Sequence, residues 1–482
     1  MSHGRSLLSR IGIAFLSLAI FGAGCTNGPS ADAVKASKRT TLRVWGVVDD
    51  LDVYQEVFTA YKKVHPYVDI EFRRFRLEEY EDSVLNALAE DRGPDVFLIH
   101  NTWVGKYQPK ILPMPTATKV AVQEIQGSLK KQAVYVVQSQ PSVSIRQFKL
   151  DYPDSVSKDF LRSVNVSTNP DVRDFQQRVM AMPMSVDTMA MYVNKDLLNA
   201  AGVTTIPEYW DQVQEAVKKL TKQDTQGEII QSGAALGTGN NVERAPDLLA
   251  VLMMQNGAEM SADDGTPTFN VIPRRLDGVR DEPPALQALA FYTDFANPGK
   301  EVYTWNAKQP NSLDAFTQGK TAMFFGYNYH LPIIRARGPR LNLALAKMPQ
   351  IQGNPIVNLA SYWGWTVAKK TKNPDLAWNL INFMRMPDQN LTYLKAGKKP
   401  AALRSQLASQ LEDEDVGVFA SQVLTSQTWY RGTNSRAADD AFVNMISLAS
   451  LGTPEAYRQA LTDGLDRVSQ TVRQVQLNPD QQ

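Results

Sequence analysis

Four consecutive apolar residues, Val96-Phe97-Leu98-Ile99, constrain the fold more than any other feature of this chain. A strand with apolar side chains on both faces needs a layer packed on each side, as the central strands of parallel α/β sheets have. The sequence before it supplies those layers. Leu42 and Val44 alternate with polar neighbours up to Trp45-Gly46, the pattern of a short strand ending in a turn. Tyr54, Val57, Phe58, Tyr61 and Val64 then recur at steps of three and four, the apolar face of a helix. Val68, Ile70 and Phe72 alternate with Asp69, Glu71 and Arg73 as a second strand. Val84, Leu85 and Leu88 mark a second helix that ends near Gly93-Pro94. The order strand, helix, strand, helix, strand predicts an α/β lobe with right-handed crossovers.

Residues 110–178 break the rhythm. Val134 to Val137 reads as a strand, but Pro109, Pro113, Pro115, Pro141 and Pro153 interrupt any long element, so a partly irregular insertion is expected. Order resumes at Met182-Pro183 and the apolar run Met189 to Val193. Beyond Pro207, Trp210, Val213, Val217 and Leu220 line one face of a helix. Asn373-Pro374 supplies an N-cap with proline at the first helical position, and Leu376, Leu380, Ile381 and Met384 follow as its apolar face. Thr453-Pro454-Glu455 opens a last helix in the same way, with a stripe of Tyr457, Leu461, Leu465, Val468, Val472 and Val475. A chain of 482 residues exceeds what one core usually serves, so two lobes are expected.

Composition removes several classes of function. Lys and Arg number 51 against 50 Asp and Glu, a net charge of +1, with no block of like charge to form a footprint for nucleic acid. One cysteine excludes an internal disulfide and a Cys-rich zinc site, and His3, His65, His100 and His330 stand at no ligand spacing. No metal or cofactor is therefore expected. HExxH, GxSxG, GxxxxGK[ST] and GxGxxG after the first strand are all missing. The glycine-rich stretch Gly233 to Gly239 carries no lysine for a phosphate. Asp49, Asp50, Asp52, Asp95 and Asp187 leave open a pair of carboxylates as in glycosidases, but sequence does not reveal their separation.

The single cysteine gains meaning from its position. Arg5 and Arg10 precede the apolar run Ile11 to Phe21, which is too short to span a bilayer as a mature helix and reads as a secretory leader. Gly22-Ala23-Gly24-Cys25 follows and resembles a lipoprotein lipobox, in which the cysteine becomes the acylated N-terminus. Gly22 replaces the usual leucine, and an ordinary signal peptidase would also accept this run. Acylation would give a firm membrane anchor, and the polar stretch Ser30 to Arg39 suits a tether.

Aromatic residues gather at predicted strand ends, where α/β sheets meet ligands. Trp45 and Trp103 do so in the first lobe. Tyr327 and Tyr329 follow Met323-Phe324-Phe325-Gly326, Tyr362, Trp363 and Trp365 sit around Gly364, and Trp429-Tyr430 precede Arg431-Gly432. Any one of them alone is better explained as core packing, but the recurrence suits the weakly apolar face of a sugar ring. Asp187, Asn240, Asn241 and Arg244 could bond its hydroxyls.

Eight segments in register carry a family resemblance: residues 42–50, 60–72, 93–103, 183–203, 209–221, 232–260, 314–329 and 358–384, among them LRVWGVVDD, YVNKDLL and DAFTQGKTAMFFGYNY. Together they resemble family 1 of the bacterial extracellular solute-binding proteins, the maltose- and oligosaccharide-type receptors of ABC importers. The resemblance runs from about Thr41 to Val475. It implies a class II periplasmic-binding-protein-like fold, two α/β lobes joined by a multi-strand hinge around a ligand cleft that closes by hinge bending. Met182 to Asp187 would be the first crossing between lobes and Met348-Pro349 to Val357 the return. The implied division is leader 1–24, lipid-anchored linker 25–40, first lobe 41–186 with the insertion at about 110–178, second lobe 187–348, first-lobe return 349–395, and a C-terminal helical segment 396–482 mainly on the second lobe.

By position, the implied ligand-binding residues are Trp45, Asp49, Trp103, Asp187, Asn240, Arg244, Tyr327, Tyr329, Trp363, Trp365 and Trp429, with Cys25 as the lipid attachment point. No catalytic residue is implied. The expected protein is a monomeric, exported, lipid-anchored receptor at the outer face of the cell membrane or in the periplasm. It would bind a small solute, a sugar above all, and pass it to the membrane subunits of an ABC permease. Two other readings of the same residues are a secreted carbohydrate-active enzyme and a sensor or surface protein that kept the receptor fold.

Overall fold

In the computed structural model, residues 31–126, 131–167, 169 and 171–476 are described. The leader and Cys25 lie outside them. Residues 31–36, expected in the tether, instead form the short helix Ala31–Ala36, which buries Ala33 and packs on the hairpin of the insertion.

The first lobe is built on a six-stranded sheet in which Val68–Phe75, Thr40–Val47, Val96–His100, Trp363–Ala368 and Ile111–Leu112 lie side by side, with Met182–Pro183 also on Trp363–Ala368. Val96, Phe97, Leu98 and Ile99 are all buried, as a doubly covered strand requires. Its neighbours differ in direction, however. Thr40–Val47 runs parallel to it and Trp363–Ala368 antiparallel, because the latter strand comes back from the second lobe. The helix Leu51–Val64 buries Tyr54, Val57, Phe58 and Tyr61 against this sheet, while Val64, the last of its predicted stripe, is exposed at the helix end.

The segment 110–178 is more regular than its prolines suggest. Ala117–Gln126 and Gln132–Pro141 form an antiparallel hairpin, helices Ile145–Asp151 and Asp154–Phe160 follow, and Leu161–Asn165 pairs with Phe175–Val179. The prolines punctuate these elements: Pro141 ends a strand and Pro153 precedes a helix.

The second lobe has a five-stranded sheet ordered Lys222–Gln223, Ile229–Ala234, Thr321–Gly326, Ala190–Asn194 and Leu343–Lys347. Trp210, Val213, Val217 and Leu220 of helix Trp210–Leu220 are buried on it, as their spacing predicts. The expected caps divide. Thr453 accepts a hydrogen bond from Ala456 N–H at the start of Pro454–Gln476, whereas the Asn373 side chain makes no cap bond at Pro374–Met384.

Three short strands join the lobes. Asp187–Thr188 pairs antiparallel with Ser361 and Ala360, and Ser426–Gln427 pairs in parallel with Asn358 and Leu359. The return crossing is thus Asn358–Ser361, later than the stretch beginning at 349. Residues 349–357 stay on the second lobe because Gln255 holds the Pro349 and Val357 carbonyls, both at 2.9 Å. The C-terminal segment also serves both lobes. Ala401, Leu403, Leu407 and Val423 lie in the first core, Phe419 packs with Tyr192 and Phe324 of the second lobe, and beyond the Ser426–Gln427 strand Trp429, Phe442, Leu461 and Val468 join the second core.

Candidate functional site

A cavity of about 390 Å³ opens between the lobes. Its walls come from the C-terminal ends of first-lobe strands, from the three crossings, and from the segments 244–247 and 327–329 and the start of helix Ser435–Ala449 in the second lobe. Brief pairing explains how residues far apart in sequence arrive together. Trp363 is in register with His100, and Ala190 with Gly326, so each lobe sheet ends in a cluster of side chains facing the gap.

On the first-lobe side Trp103 and Trp363 meet edge to face at 5.0 Å, backed by Tyr80 and His100. His100 is held by Thr102 Oγ1 at 2.8 Å and Ser361 Oγ at 3.0 Å. Desolvation, helped by the Arg244 charge across the gap, lowers its pKa to about 3, so the ring is neutral at physiological pH. Asp49 accepts from Tyr393 Oη at 2.9 Å and pairs with Lys399 at 3.1 Å.

On the second-lobe side Tyr327 and Tyr329 stack at 5.8 Å, and Trp429 packs on Phe442 at 4.8 Å. Arg244 reaches Asp247 at 2.8 Å and Asp439 at 3.8 Å, and Tyr327 Oη donates to Asp247 at 2.8 Å. Asp247, more than any other group, holds Arg244 firmly charged, while desolvation pushes the Asp439 carboxyl up. Asp187, on the first crossing, accepts from Asn328 N–H at 3.0 Å and Thr188 N–H at 2.9 Å. Desolvation in the cleft wall nevertheless raises it to about 7.

Two residues beside the gap adopt left-handed backbone conformations that side chains other than glycine rarely take: Val48 at φ 74° and Arg244 at φ 54°. Val48 follows the first strand and delivers Asp49 to the gap. Arg244 caps helix Ala245–Gln255. Strain of this kind, at two places that line one cavity, is a mark of a functional site.

Of the eleven residues expected at the ligand, nine line this cavity: Asp49, Trp103, Asp187, Arg244, Tyr327, Tyr329, Trp363, Trp365 and Trp429. Trp365 and Tyr327 do so as buried wall, each 1% exposed. Trp45 and Asn240 do not line it. Trp45 sits two residues before the end of its strand, packed on Phe75 at 4.6 Å with the Arg73 guanidinium 5.5 Å from its ring. Asn240 points to solvent, and its neighbour Asn241 fixes a loop through the Asn306 and Gln309 carbonyls. The cavity is also lined by His100, Asp247, Tyr393, Lys399 and Asp439, which sequence reasoning did not single out, and by Tyr362, which it placed among the strand-end aromatics. None stands in a motif. The one available signal is the helix spacing of Asp247 after Arg244, which permits the pair between them.

Among the described residues no helix is long and apolar enough to cross a membrane, and no group of three or more His, Cys, Asp or Glu could hold a metal ion. Two α/β lobes around a three-strand hinge, with a polar and aromatic cleft between them, define the class II periplasmic-binding-protein fold. Solved structures share it over nearly the whole chain. A sugar-binding protein of Xanthomonas citri is 16% identical with a TM-score of 0.65, covering 92% of this chain and 100% of its own. A solute-binding protein of an ABC transporter from Thermotoga lettingae, bound with α-D-tagatose, is 16% identical with a TM-score of 0.62, covering 89% and 99%. The profile of the bacterial extracellular solute-binding proteins matches residues 132–390, more than half of the chain, and the chain belongs to that family. A protein of Brucella abortus named as a binding protein is 24% identical over 253 residues, 50% of this chain and 56% of that one. The match thus spans about half the length of these curated relatives.

Proposed function

We propose that this protein is an exported receptor that captures a sugar or short oligosaccharide between its lobes and delivers it to an ABC permease, tethered to the membrane through an acylated Cys25. The observation that carries the reading is that aromatic side chains from both lobes, Trp103 and Trp363 from the first and Tyr329 and Trp429 from the second, line one cavity together with the carboxylates Asp49, Asp187 and Asp247 and the guanidinium of Arg244. Ring faces take the apolar side of a pyranose, and fixed charged groups take its hydroxyls. Sugars bound by proteins of the same fold, α-D-tagatose in one and maltotetraose in another, support this choice of ligand class. The family's members are solute-binding proteins, so the ligand is expected to leave unchanged.

The test is a titration of the protein lacking residues 1–25 with tagatose, maltose, maltotetraose and mannobiose, followed by tryptophan fluorescence and melting temperature. A binder raises the melting temperature through mass action. Flat responses to the whole panel would reject the sugar reading, and cleavage of a sugar during incubation would turn it into an enzyme. Membrane attachment has its own test. Cys25→Ser should release the protein from membranes, and a variant that stays bound would exclude the lipid anchor.

A further inference from the structure

Asp159 lies on helix Asp154–Phe160, in the segment before the first crossing, and is 0% exposed. Its carboxylate gathers donors from three distant parts of the chain. Tyr362 Oη donates at 2.6 Å, Thr428 Oγ1 at 2.8 Å and Asn101 Nδ2 at 3.2 Å. All three donors line the cleft. Tyr362 and Asn101 are also tied to each other through Asn101 N–H and the Tyr362 carbonyl at 3.0 Å. Each donor stands next to a strand that reaches the hinge: Asn101 follows the first-lobe strand Val96–His100, Tyr362 follows the second crossing, and Thr428 follows the third.

A fourth group comes from the second lobe. Arg431 stands just beyond Trp429 and Tyr430, which belong to the second core. Its Nε lies 3.5 Å from Asp159 Oδ1, buried, and makes no hydrogen bond. A charge-assisted bond between such groups closes at about 2.8 Å, so a small shift of the Arg431 side chain would complete it across the lobe contact. Backbone packing already holds the two lobes together beside this pair. A Cβ on Gly105 of the first lobe would lie 2.7 Å from the Gly432 carbonyl oxygen, a gap only glycine leaves open. Nearby Arg162 turns its guanidinium onto the Lys158 and Leu161 carbonyls instead.

We infer that Asp159 is a positioning residue for binding. It sets Asn101, Tyr362 and Thr428 from behind the cleft and, through Arg431, favours the arrangement in which the lobes are together. The inference rests on the reading of the cleft as a solute site, and its main measurement needs no solute.

The experiment compares the exported chain carrying Cys25→Ser with the same chain also carrying Asp159→Asn, Arg431→Gln or Thr428→Val. Solution X-ray scattering without ligand reports the balance between open and closed lobes, melting temperature reports folding, and affinity for maltotetraose, tagatose or mannobiose reports binding. The expected result is a larger radius of gyration for Asp159→Asn and Arg431→Gln. For any sugar that the parent binds, affinity should fall about tenfold, mainly through faster release. Thr428→Val removes one donor and should move both readouts in the same direction by less. Scattering and affinity equal to the parent's in Arg431→Gln and Thr428→Val, with only the melting temperature lowered in Asp159→Asn, would show a structural role alone and overturn the inference. If none of the sugars binds the parent, scattering still decides the role of Asp159, and it is the functional reading that fails.

Discussion

Trp363 meets Trp103 edge to face, with ring centroids 5.0 Å apart and planes at 83°. One ring enters from the strand that returns from the second lobe, the other from the turn after Val96–His100, and antiparallel pairing of Trp363 with His100 sets their register. The edge of one ring thus rests against the face of the other, which holds both in fixed orientations beside the cavity.

That arrangement makes each tryptophan a rigid platform for a ligand ring. Trp363→Ala should weaken binding of the preferred sugar by about 2 kcal/mol, roughly thirtyfold in dissociation constant. Trp363→Phe should retain much of the affinity. Calorimetric titration of the two variants checks this, and equal losses would show that the ring face is not the contact.

Lys399 pairs with Asp49, with 15% and 11% of the two side chains exposed. Lys399→Met would leave the carboxylate desolvated without its cation, a change expected to destabilise the fold by about 3 kcal/mol. Adding Asp49→Asn should return part of the loss. Urea unfolding of the single and double variants measures it, and strictly additive losses would contradict a direct interaction.

Asp187 carries the clearest pH dependence. Its ordinary value is 3.8, and desolvation in the cleft wall raises it to about 7 in the folded protein. The folded state therefore holds the proton more tightly than the unfolded chain does. This contribution to stability is complete below about pH 4 and is lost as the pH rises through 7, by an amount on the order of a few kcal/mol. Asp187→Asn should remove that slope. Melting temperatures of both proteins between pH 4.5 and 8 decide the matter, and parallel curves would assign the slope elsewhere.

Gln255 accepts from Trp210 Nε1 at 2.7 Å and donates to the Pro349 and Val357 carbonyls. Gln255→Ala should leave those buried groups unpaired and cost about 3 kcal/mol of stability. Because the contact lies away from the cavity, affinity should change less than about twofold while the fold remains intact. Denaturation and titration of the same sample separate the two effects.

Gly105 provides the close approach between lobes. Gly105→Ala would press a methyl group on the Gly432 carbonyl. The expected result is a more open ligand-free protein and about tenfold weaker sugar binding, from a penalty of about 1–2 kcal/mol against closure. Scattering of the ligand-free variant checks it, and an unchanged radius of gyration would mean that the backbone yields.

Much of the architecture was legible in local pattern. The doubly apolar run at Val96–Ile99, the stripe Tyr54, Val57, Phe58 and Tyr61, and the buried strand ahead of Tyr327 all follow from side-chain periods that a regular backbone must respect. Residues 110–178 were harder, since Pro141 and Pro153 read as breaks when they in fact mark the ends of short elements. Trp45 misled for a related reason. An aromatic residue near a strand end points toward or away from the cavity according to a register that sequence does not display, and here Phe75 and Arg73 cover it.

By itself the sequence determined the two-lobed α/β class, through alternating periods and a doubly apolar strand, and of the eleven residues expected at the ligand from strand-end position and family resemblance, nine line the cavity. The partners of those residues were decided by tertiary structure alone. Lys399 finds Asp49, Asp439 joins Arg244, and Asp159 collects Asn101, Tyr362, Thr428 and Arg431 only because three crossings bring separate stretches of chain to one hinge. Hydrophobic period is a local property and survives in the linear text. Charge pairing and desolvation depend on what lies across a gap, and the gap exists only once both lobes have folded.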